Sequence, residues 1–240
     1  MSGRCIAMWS GPRNISTAMM RAWENRADTR VVDEPFYAHF LQHTGLDHPM
    51  SDEIIAAGNT DWRAVVEQLL TPPDSGIFYQ KHITTHWLEH FSTDWLKHID
   101  HVFLIREPAP VVASYARKRE SVTPGDLGYS QQAALFDHIS SVQGSQPVVI
   151  DSRRFLDNPA VQLDKLCKAL NIPFDERMLR WRKGGRVSDG IWAAHWYDAV
   201  KQSTGFSSAE KTMPELSASQ QRIVDVCLPY YQSMRRYAID

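Results

Sequence analysis

The chain has little cysteine: Cys5, Cys167 and Cys227 are the only three among 240 residues. An odd number at wide spacing excludes a disulfide framework and a clustered cysteine metal site, and a reducing cytoplasmic setting is the expectation. A dominant charge is lacking too, since 26 Lys and Arg stand against 28 Asp and Glu for a formal net charge of -2. No broad basic field is therefore available to make nucleic acid or an anionic membrane surface the main partner. No apolar run approaches the roughly 20 residues that span a bilayer, and no signal-peptide pattern follows the first residues. These absences leave a soluble protein whose expected partner is a small molecule, and a homodimer is compatible with them.

With 43% hydrophobic and 22% charged residues, the chain can bury the core of one α/β domain over residues 1–240. Short β-type runs alternate with longer periodic segments, the pattern of a parallel sheet covered by helices. Strands are expected at Arg4–Trp9, Arg30–Asp33, Gly76–Lys81, His101–Arg106 and Pro147–Asp151. Helices are expected at Ser16–Arg26, Trp62–Leu70, Pro108–Lys118, Tyr129–Val142, Asn158–Leu170 and, closing the chain, roughly Ser217–Arg236. Gln42–Asn59 and Lys183–Pro214 carry Gly, Pro, Ser and Thr with little periodicity, and are expected to be active-site loops.

The stretch MWSGPRNISTAMMRAW, residues 8–23, ends an apolar strand in Ser10-Gly11-Pro12-Arg13-Asn14 and enters a helix near Ser16. Free backbone N–H groups at the positive end of such a helix form an anion cradle, to which Ser16 and Thr17 add hydroxyls and Arg13 a guanidinium. The Gly-Lys that nucleoside triphosphatases need in this loop is missing, which disfavours ATP hydrolysis. A second stretch, HVFLIREPAPVVASYARKRE at 101–120, ends a strand at Arg106 and starts a helix at Pro108. Ser114 follows eight residues after Arg106, so the two can meet on one phosphate if the helix folds back beside the strand end.

On these residues the chain resembles the sulfotransferases that use 3'-phosphoadenosine 5'-phosphosulfate as co-substrate. The family's P-x-x-G-T-T loop corresponds to Pro12-Arg13-Asn14-Ile15-Ser16-Thr17, and its R-x-P-x5-S motif to Arg106-Glu107-Pro108 with Ser114. WRKGGRVSDGIW resembles the R-K-G element, here Arg182, Lys183 and Gly184, and FLDNPAVQLDKLCKALNIPF the D-P helix. The resemblance implies a three-layer, P-loop-like α/β fold with about five parallel strands. It also implies that Gly11 to Thr17 hold the 5'-phosphosulfate, that Arg106 and Ser114 hold the 3'-phosphate, and that Arg182 to Gly184 return over the latter. Ile15 stands where the family has Gly, and Ala18 where cytosolic members stack a Trp on adenine; Trp181, Trp192 and Trp196 could take over that packing.

Sulfuryl transfer to a hydroxyl or amine of a small acceptor needs positioning, charge stabilisation and one base, and it demands no metal. Arg13 replaces a family lysine that stabilises the bridging oxygen. Glu34 past the second strand and His82 at the end of the third are the candidate bases, with Glu34 preferred. A nucleotide-type phosphotransferase on a similar fold, or a nucleotide-binding module without turnover, are the alternatives. His82, His86 and His90 recur every four residues, but Ile-Thr-Thr at 83–85 leaves no Glu in the H-E-x-x-H position and no Cys is nearby, so a metal site there is not expected. Trp62, Trp87 and Trp95 are read as core.

Overall fold

The computed structural model describes residues 3–119, 121–208 and 212–240. Five strands, β1 (Arg4–Ser10), β2 (Thr29–Asp33), β3 (Ile77–Ile83), β4 (Asp100–Ile105) and β5 (Val148–Asp151), form one sheet in the order β2-β3-β1-β4-β5. Every pairing is parallel. All five expected strands are present, with ends shifted by one or two residues.

A sheet covered on both faces asks for strands that are apolar throughout, and β1 answers with Cys5 to Trp9 all buried. Period-two alternation then divides the core. Ile6, Met8, Tyr79 and Leu104 face α1 (Ser16–Glu24), the short α8 (Ser152–Asp157) and α9 (Pro159–Ala169). Ala7, Trp9, Phe78 and Phe103 face α4 (Trp62–Leu69), α5 (Pro108–Ala116), α7 (Tyr129–Gln143) and the closing helix α12 (Ala218–Arg235). Trp62 and Trp95 belong to this second core, with Trp87 packed against it. Past α12, Ile239 N–H donates to the Val149 carbonyl at 3.0 Å, so the chain end pairs with the β5 edge.

The two loops foreseen between the main elements are partly helical. Residues 42–59 contain α3 (Ser51–Ala57), following α2 (Tyr37–Thr44). Only Ile54 of α3 is buried, so its apolar periodicity is too thin to register, whereas Asp52 and Glu53 in its first turn suit the dipole. Residues 183–214 contain the single-turn helices α10 (Ala193–Trp196) and α11 (Asp198–Gln202); α6 (Pro124–Leu127), another short turn, precedes α7. The 183–214 segment is anchored by Arg21 of α1, whose fully buried guanidinium pairs with Asp189 at 2.6 Å. Removing Asp189 would leave this buried guanidinium with only the longer Glu24 contact, at 3.5 Å, to balance its charge.

Candidate active site

A cavity of about 300 Å³ lies where the C-terminal ends of β1, β2, β3 and β4 meet the 196–207 segment. The topology favours this place. From β1 the chain leaves over the α1 face, from β4 over the α5 face, and the strand ends between diverging connections form a crevice.

Both sequence motifs converge there. Pro12, Arg13, Asn14, Ile15, Ser16 and Thr17 line the cavity together with Arg106 and Ser114. Asn14 Nδ2 donates to the Leu104 carbonyl (3.0 Å) and its Oδ1 accepts from Ile15 N–H (2.8 Å), tying the loop across the gap to β4. Arg106 Nη1 donates to the Arg13 carbonyl at 2.7 Å, and Arg13 Nε donates to Ser114 Oγ at 3.0 Å. Arg13 holds a left-handed backbone, φ 54°. Burial, then the charges of Arg117 and Arg106, lower its pKa. The first turn of α1 carries no acidic residue and no side-chain cap. The arrangement is a cationic, donor-rich cradle.

The opposite wall is a buried charge cluster, of which Glu34 alone is a candidate from sequence. Glu34 turns off β2 with φ 42°, its N–H held by the Lys81 carbonyl at 2.8 Å, and its carboxylate enters the cavity wall. Asp33 pairs with Lys81 in the β2–β3 register. The Lys81 ammonium donates to Asp33 Oδ1 (2.8 Å), to Glu34 Oε1 and to the Tyr197 hydroxyl (2.8 Å). The Tyr197 hydroxyl in turn donates to Asp33 Oδ2 at 2.7 Å, and Gly190 N–H reaches the same oxygen at 3.1 Å. Burial works against the Lys81 charge, but Asp33 and Glu34 outweigh it and raise its pKa well above the ordinary lysine value. Burial raises the Glu34 carboxyl above its usual range; Lys81 pulls the other way and Asp33 adds to the rise. In the sequence Lys81 is marked only as the last residue of the third expected strand. Its placement beside two acidic residues from β2 is a matter of sheet order, which sequence spacing does not reveal.

His82 is not part of this site. Adjacent strand residues point to opposite faces, so with Lys81 toward the cavity His82 faces the other core. There it stacks on Trp9 with centroids 4.2 Å apart, 1% exposed, and burial, then His101 and Lys81, drop its pKa well below the usual histidine value. His86 does line the cavity, stacked on Tyr37 at 4.4 Å with Nδ1 3.9 Å from Glu34 Oε2. The regular His82, His86, His90 spacing lies on no helix, since it runs from β3 through a 3-10 turn into a loop.

Three further groups of expected residues lie wholly or partly away from the cavity lining. Arg182 and Lys183 are exposed and, with Gly184, lie outside the cavity lining; Gly184 N–H is spent on the Lys201 carbonyl at 2.8 Å. Gly11 also stays outside the lining, backed against the Leu127 carbonyl, which a Cβ there would approach to 3.0 Å. Of the three candidate tryptophans only Trp196 lines the cavity. Trp181 is buried edge-on against Phe206, and Trp192 donates to the Tyr197 hydroxyl at 3.2 Å. Phe206, Val200 and Leu156 of α8 supply the apolar wall, and nothing in the periodicity of residues 183–214 marked Val200 or Phe206.

The sulfotransferase domain model matches residues 4–238. The chain belongs to the sulfotransferase domain family. Two Arabidopsis thaliana relatives, branched-chain-amino-acid aminotransferase-like proteins 1 and 2, are 34% and 32% identical over 97% and 96% of this chain. The chain spans only 42% and 41% of their lengths, so their names describe proteins more than twice as long. Among solved structures, the mouse sulfotransferase SULT7A1 complexed with PAP aligns at TM-score 0.60 and 12% identity, over 98% of this chain and 89% of that one. A sulfotransferase from Alicyclobacillus acidocaldarius aligns at 0.57 and 10%, over 100% and 98%. The sulfotransferase domain of the curacin biosynthetic pathway aligns at 0.54 and 16%, over 93% and 97%. At these identities the likeness is one of fold.

Proposed function

We propose that this protein transfers a sulfuryl group from 3'-phosphoadenosine 5'-phosphosulfate to a hydroxyl or amine of a small-molecule acceptor. The observation that carries the reading is one cavity with a cationic cradle on one wall and a carboxylate of raised pKa on the other. Family membership and the PAP complex of a structural neighbour support the donor. In this reading the 5'-phosphosulfate sits on the α1 N-terminus with Ser16 and Thr17, and the 3'-phosphate on Arg106 and Ser114. Trp196 and Phe206 are among the aromatic residues of the cavity and are available to pack the adenine.

Glu34 acts as the general base. Its Oε1 is held by Lys81, and its Oε2 makes no hydrogen bond among the described residues. That free oxygen takes the acceptor proton as the acceptor oxygen or nitrogen bonds to sulfur. The bond between sulfur and the bridging oxygen breaks, and its electron pair leaves with adenosine 3',5'-bisphosphate. Arg13 stabilises charge on that bridging oxygen; to do so it exchanges its Ser114 contact for the donor. Lys81 positions Glu34 and does not touch the reacting atoms.

Calorimetry with adenosine 3',5'-bisphosphate, followed by an acceptor screen with sulfate-labelled donor, tests the proposal. Binding of the bisphosphate without magnesium and label transfer to an acceptor are expected. No binding of the bisphosphate would overturn it, and retention without transfer to any acceptor would favour a nucleotide-binding module.

A further inference from the structure

Outside the cavity, three histidines come together that sequence spacing does not connect. His39 and His43 lie one turn apart on α2, and His90 arrives on the segment that follows β3. One ring nitrogen from each lies within 4.8 Å of the other two, and His39 Nε2 is 3.0 Å from His90 Nε2. Nitrogens sharing a tetrahedral metal at bond lengths of about 2.0–2.1 Å stand about 3.3 Å apart, so modest rotation of exposed side chains closes the triad.

The tautomer of His39 is fixed. Its Nδ1 is 2.6 Å from the Thr60 carbonyl, which can only accept, so Nδ1 carries the proton and the Nε2 lone pair points at the other two rings. A backbone carbonyl holding the far nitrogen of an imidazole is the outer-shell arrangement that orients histidine ligands in metal sites. His43 sits in the last turn of α2, where the helix dipole favours a cation. The three nitrogens carry no negative charge, and Arg63, held over the Trp62 ring at 4.6 Å, adds a positive one nearby. Such a donor set suits a borderline ion bound through nitrogen better than Mg²⁺ or Ca²⁺, which need oxygen ligands.

We propose that His39, His43 and His90 bind a divalent transition-metal ion of the zinc class, with water at the fourth position. The site would clamp α2 to the segment after β3. Those two stretches also carry Tyr37 and His86, so the ion would brace one wall of the cavity without entering it. The inference is independent of the sulfuryl-transfer reading.

Untagged, chelator-stripped protein titrated with Zn²⁺ against a chromophoric chelator should bind one ion per chain with micromolar or tighter affinity. Co²⁺ should give the visible absorption of a tetrahedral site, and Zn²⁺ should raise the melting temperature. His43→Ala and His90→Ala alter exposed side chains and should keep the fold. Each should weaken Zn²⁺ binding by at least the roughly 10–100-fold that even an outer-shell change costs, and abolish the thermal shift. Absence of stoichiometric binding, or equal affinity in wild type and both folded variants, would overturn the site.

Discussion

Replacing Glu34 by Gln separates the two candidate bases. The change keeps the side-chain length and leaves an amide oxygen for Lys81, and Lys81 retains Asp33 and Tyr197 as partners. No buried charge is orphaned, so the fold and donor binding should survive. What disappears is a carboxylate able to accept a proton. General-base catalysis contributes about 10²–10⁴-fold, which at about 1.36 kcal/mol per decade is roughly 2.7–5.4 kcal/mol of barrier. Glu34→Gln should therefore lower kcat by that range at saturating donor while leaving the bisphosphate affinity within about a factor of three, since only changes near 1.4 kcal/mol reach tenfold. His82→Asn should do the reverse. It removes a ring stacked on Trp9, and aromatic pairs of this kind contribute about 0.5–1.5 kcal/mol beyond their buried area, so Tm falls and kcat stays. The assay is label transfer to one acceptor, run well below the melting temperature of every variant. A His82→Asn protein that is folded but slowed a hundredfold or so, beside a near-normal Glu34→Gln, would refute the assignment.

Because burial raises the Glu34 pKa above its ordinary 4.5, kcat should fall with decreasing pH through that raised value, and the limb should vanish in any residual Glu34→Gln activity. The same shift has the opposite sign for stability: its contribution is present below 4.5 and lost as pH rises through the folded value, which paired melting curves of wild type and Glu34→Gln would detect. Arg106→Ala should weaken bisphosphate binding by about 2–5 kcal/mol if that phosphate is buried; equal affinity by calorimetry would remove Arg106 from the 3'-phosphate. Arg13→Ala should lower kcat more than donor affinity, because charge on the bridging oxygen grows as sulfate leaves, and a variant that loses binding but keeps its maximal rate would make Arg13 a ground-state anchor. Lys81→Met should destabilise the fold by about 3–5 kcal/mol by leaving Asp33 and Glu34 buried without their cation, read from denaturant midpoints.

The sheet was legible in the sequence because its strands are short apolar runs punctuated by turn residues, and each expected strand lies within two residues of the real one. The cradle was legible too, since Arg13 to Thr17 are contiguous and Arg106 and Ser114 sit eight residues apart on one strand–helix unit. Local patterns of this kind survive folding. The short helices of 183–214 left no such pattern, because a single turn buries one or two side chains and gives no period to detect. Ala193 is the only fully buried residue of α10, and α11 has none.

His82 shows why a sequence motif can point at a residue that lies outside the cavity lining. In a parallel strand buried on both faces, hydropathy does not distinguish one face from the other, and Lys81 and His82 look equally able to meet a ligand. Strand order decides between them. With β2 beside β3, the residue in register with Asp33 is Lys81, and alternation sends His82 to Trp9. A lysine 1% exposed is costly unless it is paired, so a second acidic residue near Asp33 becomes physically useful as soon as Lys81 is known to be inside. Glu34 fills that place, and its burial, with Asp33 adding to the effect and Lys81 opposing it, raises its pKa above the ordinary carboxylate value. The chemistry proposed for Glu34 therefore depends on Lys81, through a contact between two neighbouring strands that no spacing along the chain encodes.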